Sequence, residues 1–334
     1  MRKLFAGLIA VLMFDSVLAQ TADAPVLIPN RADPWVYREA GDSYYFTASV
    51  PEFDRIELRH ASSVLGLAQA IPQVVWRKKA KGPMSLNIWA PELHRIDGAW
   101  YIYFAAGEVD KPFHIRTYVL KNTSASPLQG QWTELGLLQL PWDSFNLDAT
   151  LFKHQGQQYL VWAQQDKLKS YNSALWIARL KSPTELATQP VLLTEPLLDW
   201  ERIGYKVNEG PAVLQSHGKV FISYSASATD HHYAMGLLTA PADADLLDPA
   251  SWHKAAEPVF YSNADLKRFG PGHNSFVLDK NGQHWLMLYH ARNYKEIQGN
   301  PLADGNRHTR LRQLPISAQG ELQFGQQLPD QWDE

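Results

Sequence analysis

A glycine followed by a run of aromatic and β-branched residues recurs five times along the 334-residue chain, and this repetition constrains the fold more than any other feature. The copies open at Gly41, Gly98, Gly156, Gly218 and Gly282, with runs such as DSYYFTASV, AWYIYFAAG and KVFISYSAS, and they recur every 57–64 residues. A short segment with a polar residue near its start precedes each glycine: ADPWV at 32–36, APEL at 90–93, DATLF at 148–152, EGPAV at 209–213 and HNSF at 273–276. Another strand candidate follows each run, at 56–63, 115–122, 175–182, 234–241 and 309–316. A more ragged fourth candidate usually comes next, often marked by tryptophan, as at Trp76, Trp132 and Trp252. Five copies of a roughly four-stranded unit predict an all-β, five-bladed β-propeller, whose radial repetition leaves only short, protected edges. The period exceeds the ~40–45 residues of WD-type repeats, so generous loops are expected.

In a propeller the innermost strand of each blade lines the central channel. If the segment before each glycine is that strand, Asp33, Glu92, Asp148, Glu209 and His273 approach the axis, one from each blade. The alternative for any one of them is a strand-end polar residue that caps a turn. Convergence of three carboxylates is hard to obtain that way.

Residues 1–19 have the form of a secretory signal: Arg2 and Lys3, an apolar stretch at 4–14, and a small-residue cleavage pattern ending at Ala19. The apolar stretch is shorter than the ~20 residues a membrane span needs. Residues 20–334 are therefore expected as one exported propeller domain, secreted or periplasmic, monomeric, and off the membrane once the signal is cleaved. The formal net charge of −3 carries no basic stripe, which argues against a nucleic-acid partner. The chain has no cysteine, which excludes disulfides, thiol catalysis and thiolate metal sites. Nucleophile-elbow, P-loop and zinc-helix motifs are absent from the sequence. A long polar loop is expected at 293–307 and shorter ones at 108–113 and 165–173, and long loops at one end of a propeller commonly shape the site.

Three carboxyl groups in one water-filled pocket suit acid–base hydrolysis. Cleavage of a glycosidic bond needs one carboxyl protonated, to donate to the leaving oxygen, and another ionised, to activate water or attack. A third can keep the first protonated, because like charge raises a neighbour's pKa. Asp33, Asp148 and Glu209 fit these roles. Glu92 fits less well, since proline stands where the other segments have a polar group, and a salt bridge or turn contact is preferred for it.

The segments ADPWV, WAPEL, LDATLF and NEGPAV, in that order on five blades, resemble glycoside hydrolase family 43. The resemblance runs from Arg31 to about Leu314. Within the family the stretches RADP, IWAPELH, PWDSFNLDATLF, GYKVNEGPAV, GPGHNSF and NRHTR are most similar to the exo-acting α-1,5-L-arabinofuranosidases. It implies an inverting single displacement that releases terminal L-arabinofuranose from arabinan or arabino-oligosaccharides. Asp33 would be the general base, Glu209 the general acid, and Asp148 the residue that tunes the acid and orients substrate.

The same resemblance sets His273 near the channel axis, facing a calcium ion or water; no cofactor is otherwise required. It brings Arg307 to the sugar, against the alternative of a surface arginine. Trp89 is assigned either to a sugar face or to the core, and His290 and Arg292 are read as scaffold of the fifth blade. Endo-arabinanase or β-xylosidase action within the family, and a non-catalytic carbohydrate-binding propeller, remain the rival readings.

Overall fold

The computed structural model describes residues 25–332, so the expected signal at 1–19 lies outside the described residues. Among the described residues, strands form five antiparallel sheets, and the only helices are four short 3-10 turns. Blade one runs Ala32–Glu39, Ser43–Ser49, Arg55–Ala61 and Gln73–Arg77; blade two runs Leu86–Ile96, Ala99–Glu108, Lys111–Asn122 and Thr133–Leu137. Blade three starts Asn146–His154, Gln157–Gln164, Ala174–Ser182 and splits its outer edge between Glu185–Leu186 and Val191–Thr194. Blade four runs Asn208–Ser216, Lys219–Ala226, Ala234–Pro241 and His253–Lys254. The first strand of each blade packs against the first strands of its two neighbours, and the series closes on itself. This is the five-bladed propeller.

The fifth blade departs from the expected pattern. It has three strands, Phe269–Leu278, Trp285–Arg292 and His308–Gln313. Its outer edge is covered from elsewhere: Thr309 exchanges backbone hydrogen bonds with Ile28, and the Gln313 N–H donates to the Gln331 carbonyl at 2.8 Å. The ring is thus joined by residues 281 positions apart, which satisfies edge groups that would otherwise invite pairing with another chain.

The recurring glycine marks the hairpin between the first and second strands. At Asp97–Gly98 both residues have positive φ, 47° and 83°, the two-residue turn whose twist matches the flanking strands. The aromatic runs are second strands, buried on both faces. Tyr101 and Tyr103 face a core shared with blade three, while Ile102 and Phe104 face one shared with blade one. Leu160 and Trp162 against Val161 and Ala163 repeat the arrangement, as do Leu286 and Leu288 against Met287 and Tyr289. Five apolar clusters result, one at each junction between neighbouring blades. Double burial explains why these strands read as continuous apolar runs rather than alternating ones.

Each first strand carries a β-bulge near its start, centred on one residue with positive φ: Asp33 (54°), Ala90 (44°), Asp148 (54°), Gly210 (55°) and His273 (44°). A bulge adds one residue against its partner strand and re-aims a side chain.

Candidate active site

The bulges point into a cavity of about 450 Å³ at one end of the channel, and all five blades contribute to its wall. Asp33, Asp148 and His273 occupy the bulge positions themselves. Glu209 precedes its bulge by one residue, leaving Gly210 in the strained seat, and Glu92 follows its bulge by two. The equivalence expected of five polar residues therefore holds for three. Asp33, Asp148, Glu209, His273, Arg307 and Trp89 all line the cavity; Glu92 does not.

The seats are wired from blade to blade. The Asp33 N–H donates to His290 Nδ1 (3.1 Å), the Ala90 N–H to Ser49 Oγ (2.8 Å), and the His273 N–H to Ser225 Oγ (2.8 Å). In each case the acceptor sits on the second strand of the preceding blade. At the fourth seat the Gly210 N–H donates to Asp148 Oδ2 (2.9 Å), so a carboxylate of blade three accepts from blade four. Gly210 serves a second need: a Cβ there would stand 2.9 Å from His273 Cγ.

Asp33 is the most heavily partnered carboxylate. Ser49 Oγ donates to its Oδ2 at 2.5 Å and Arg307 Nη1 to its Oδ1 at 3.1 Å, with His273 Nδ1 3.5 Å away. Burial alone would raise its pKa, but the charge of the Arg307 guanidinium leads the influences that hold it well below the usual carboxylate range. Glu209 is placed differently. Burial lifts its pKa to about 7, against the hydrogen bond that Tyr233 Oη donates to its Oε1 (2.9 Å), and the charge of Asp33 adds to the rise. Asp148 is pushed well above its ordinary value by burial, then by Glu209 and Asp33. Asp148 and Glu209 therefore titrate as a pair, and the first to ionise holds the proton on the other. Near neutrality the cavity contains one firmly ionised carboxylate beside carboxyls that retain protons.

Both histidines are neutral. Burial brings the pKa of His290 down to about 3, and the Asp33 N–H it accepts on Nδ1 puts its own proton on Nε2. Burial also lowers His273, although Asp33 works in the opposite direction. The oxygen-rich shell that calcium prefers is not found around His273. The nearest carboxylates, Asp33 and Asp148 (3.8 Å), are engaged by Arg307, Ser49 and the Gly210 N–H. This donor set does not fit calcium.

Glu92 lies deeper, with its Oε2 2.9 Å from His94 Nε2. Burial raises the acid well above its ordinary value and lowers His94 to about 3, so the contact is a neutral hydrogen bond, neither the salt bridge nor the turn contact expected. His290 is not mere scaffold, since it contacts Asp33 and stacks on Tyr233 with ring centroids 5.6 Å apart. Arg292 is: it is buried and donates to the Thr229 and Pro301 carbonyls, bracing two loops of the mouth. Trp89 lines the cavity and packs edge-on against Phe53. Sequence reasoning missed Tyr233, Ser49, Asn172, Phe113 and Tyr205. They come from second and third strands and from loops, none of which carries a repeating motif.

Comparison with known proteins places this geometry. The Humicola insolens protein named alpha-L-arabinofuranosidase 43 is 52% identical over 91% of this chain and 63% of its own length. The extracellular exo-alpha-(1->5)-L-arabinofuranosidase of Streptomyces avermitilis is 48% identical, with the same two coverages. The chain thus spans about 63% of the length of these relatives. The crystal structure of an alpha-L-arabinofuranosidase from Lactobacillus brevis superimposes with a TM-score of 0.88 at 47% identity, over 93% of this chain and 98% of that one. The sequence pattern of the glycosyl hydrolases family 43 matches residues 22–322, and the chain belongs to that family.

Proposed function

We propose that this protein is an inverting, exo-acting α-L-arabinofuranosidase that releases terminal L-arabinofuranose from α-1,5-linked arabinan or arabino-oligosaccharides. One observation carries the reading: Asp33 is held ionised, while Glu209 in the same cavity has a pKa of about 7. Glycosidic hydrolysis between two carboxyl groups needs that pair of states, and the resemblance to family 43 implies the inverting course. Asp33 takes a proton from water as the water attacks the anomeric carbon. Glu209 gives its proton to the departing glycosidic oxygen, and Tyr233 fixes the orientation of its carboxyl. Asp148 tunes the acid through their coupled titration and orients sugar hydroxyls. Arg307 holds Asp33 ionised, and its remaining N–H groups face the sugar. Trp89 offers an apolar wall to the furanose ring, and His273 separates the two aspartates.

Exo action is supported by a pocket walled by all five blades and by relatives named for it. The extracellular names of relatives, with the signal-like sequence at 1–19, support export. Among the described residues no helix is long and apolar enough to cross a membrane.

The test is a time course on debranched linear arabinan, with products separated by chromatography and the first-formed anomer read by proton NMR. Arabinose alone from the earliest points, released as the inverted anomer, is expected. A ladder of oligomers would replace the proposal with endo action. Retained anomeric configuration would remove Asp33 as a base acting on water.

A further inference from the structure

The segment joining the second and third strands of blade four carries three consecutive residues with metal-binding side chains, Asp230, His231 and His232. Each offers one donor atom, and these atoms all lie within 4.8 Å of one another. Among the described residues no other group of three or more His, Cys, Asp or Glu side chains comes together in this way. The two imidazole centroids are 3.9 Å apart, and His232 Nδ1 lies 2.9 Å from Asp230 Oδ1.

The backbone beneath these side chains is held on several sides. Ser262 Oγ donates to the His231 carbonyl (2.6 Å), Arg292 Nη1 to the Thr229 carbonyl (2.7 Å), and the Tyr233 N–H closes a turn onto the Asp230 carbonyl (3.2 Å). Gly270 packs so closely that a Cβ there would stand 2.1 Å from the Asp230 carbonyl oxygen. A pinned backbone means that closing on an ion requires side-chain rotation alone, without the entropy of ordering a free loop.

We propose that Asp230, His231 and His232 form a binding site for a borderline divalent ion such as Zn²⁺ or Cu²⁺, at the rim of the pocket. Two imidazoles and a carboxylate suit such ions, whereas calcium and magnesium favour all-oxygen shells. Tetrahedral zinc with ligands at about 2.0–2.1 Å sets donor atoms about 3.4 Å apart, so the present cluster must draw in by about an ångström. Three protein donors leave a coordination position for water. Lys295 and Glu296, which both act on His231 from outside the cluster, are of opposite sign. Thr229 on one flank lines the pocket and Tyr233 on the other reaches Glu209, so an ion here stiffens a segment that the active site uses.

The test is calorimetric titration of untagged full-length protein with ZnCl₂ in a non-chelating buffer near neutral pH, alongside electron paramagnetic resonance of the Cu²⁺-loaded protein. One zinc per chain and nitrogen splitting on the copper spectrum are expected. The double variant His231→Ala/His232→Ala should lose both signals, while its melting temperature and its turnover in metal-free buffer stay at the parent values. CaCl₂ should give no saturable heat. Absence of saturable zinc binding, or undiminished one-to-one binding in the double variant, would overturn the proposal.

Discussion

Ser49 Oγ donates to Asp33 Oδ2 at 2.5 Å and at the same time accepts the backbone N–H of Ala90 from the neighbouring blade. One hydroxyl therefore fixes both the carboxylate proposed as the base and the seat beside it. Ser49→Ala removes a donor to a buried charge and strands a buried N–H, at a cost of about 1–3 kcal/mol in stability. Turnover on arabino-oligosaccharides should fall by about tenfold or more, with KM little changed, because a base out of line costs the transition state rather than ground-state binding. Steady-state kinetics with a thermal melt measures both.

Glu209→Gln should nearly abolish turnover on natural oligosaccharides, yet reduce it much less on aryl glycosides, whose leaving groups barely need a proton. Equal, severe loss on both substrates would remove Glu209 as the acid. A second outcome follows from linkage. A carboxyl raised from 4.5 to about 7 binds its proton more tightly in the folded state, so wild-type stability falls as pH rises from about 4.5 through about 7. Glutamine does not titrate. The variant should gain on the order of 1–3 kcal/mol over wild type at pH 8, with the gap closing toward pH 4. Denaturant melts at the two pH values decide it.

The pH profile of kcat/KM should fall on the alkaline side near pH 7, where Glu209 loses its proton, and on the acid side only well below the usual carboxylate range. Arg307→Met takes away the strongest of the influences that keep Asp33 ionised against burial. The acid limb should then move to higher pH, and the alkaline limb should rise by less, because Arg307 also lowers Glu209 but is the last of the influences acting on it. A profile shifted at neither limb would deny Arg307 that electrostatic role.

Much of the fold was legible in the sequence because its causes are local. A hairpin with positive φ selects glycine, which produced the repeat at Gly98 and its equivalents. Strands buried on both faces must be apolar at every position, which produced runs such as WYIYFAA after Gly98. The bulges were not legible, because an extra residue at Asp33 or Asp148 depends on how the blade meets its neighbour. That is why Glu209 and Glu92, which read as equivalents of Asp33, sit one residue before and two residues after their seats. The fifth blade's missing strand was hidden for a related reason: its edge is supplied by Ile28 and Gln331, far from it in sequence.

Gly210→Ala tests the seat directly. The added Cβ meets the His273 ring, and alanine at a φ of 55° is strained in any surroundings. A destabilisation of about 1–3 kcal/mol is expected. Activity should fall further than stability explains, because the Gly210 N–H that Asp148 accepts moves with the backbone. Wild-type activity in a folded Gly210→Ala variant would show that the bulge tolerates displacement.

Far from the cavity, Asp330 receives the Tyr289 hydroxyl at 2.6 Å and faces the buried guanidinium groups of Arg268 and Arg312, which lie over Phe260. Asp330→Ala leaves two buried cations short of a counter-charge and should cost about 3–5 kcal/mol. Urea denaturation measures that loss. The kinetic constants of the folded fraction should match wild type.

The five bulges make the ring a socket with five backbone-equivalent seats, and three of them hold polar side chains that line the cavity. The seat at Ala90 holds a methyl group and the seat at Gly210 holds nothing, while the ring is closed by apolar junctions that lie outside the socket. The polar seats and the apolar junctions that close the ring are consequently written in different residues. A lineage built on this ring can exchange one reagent for another, seat by seat, without re-inventing the vessel.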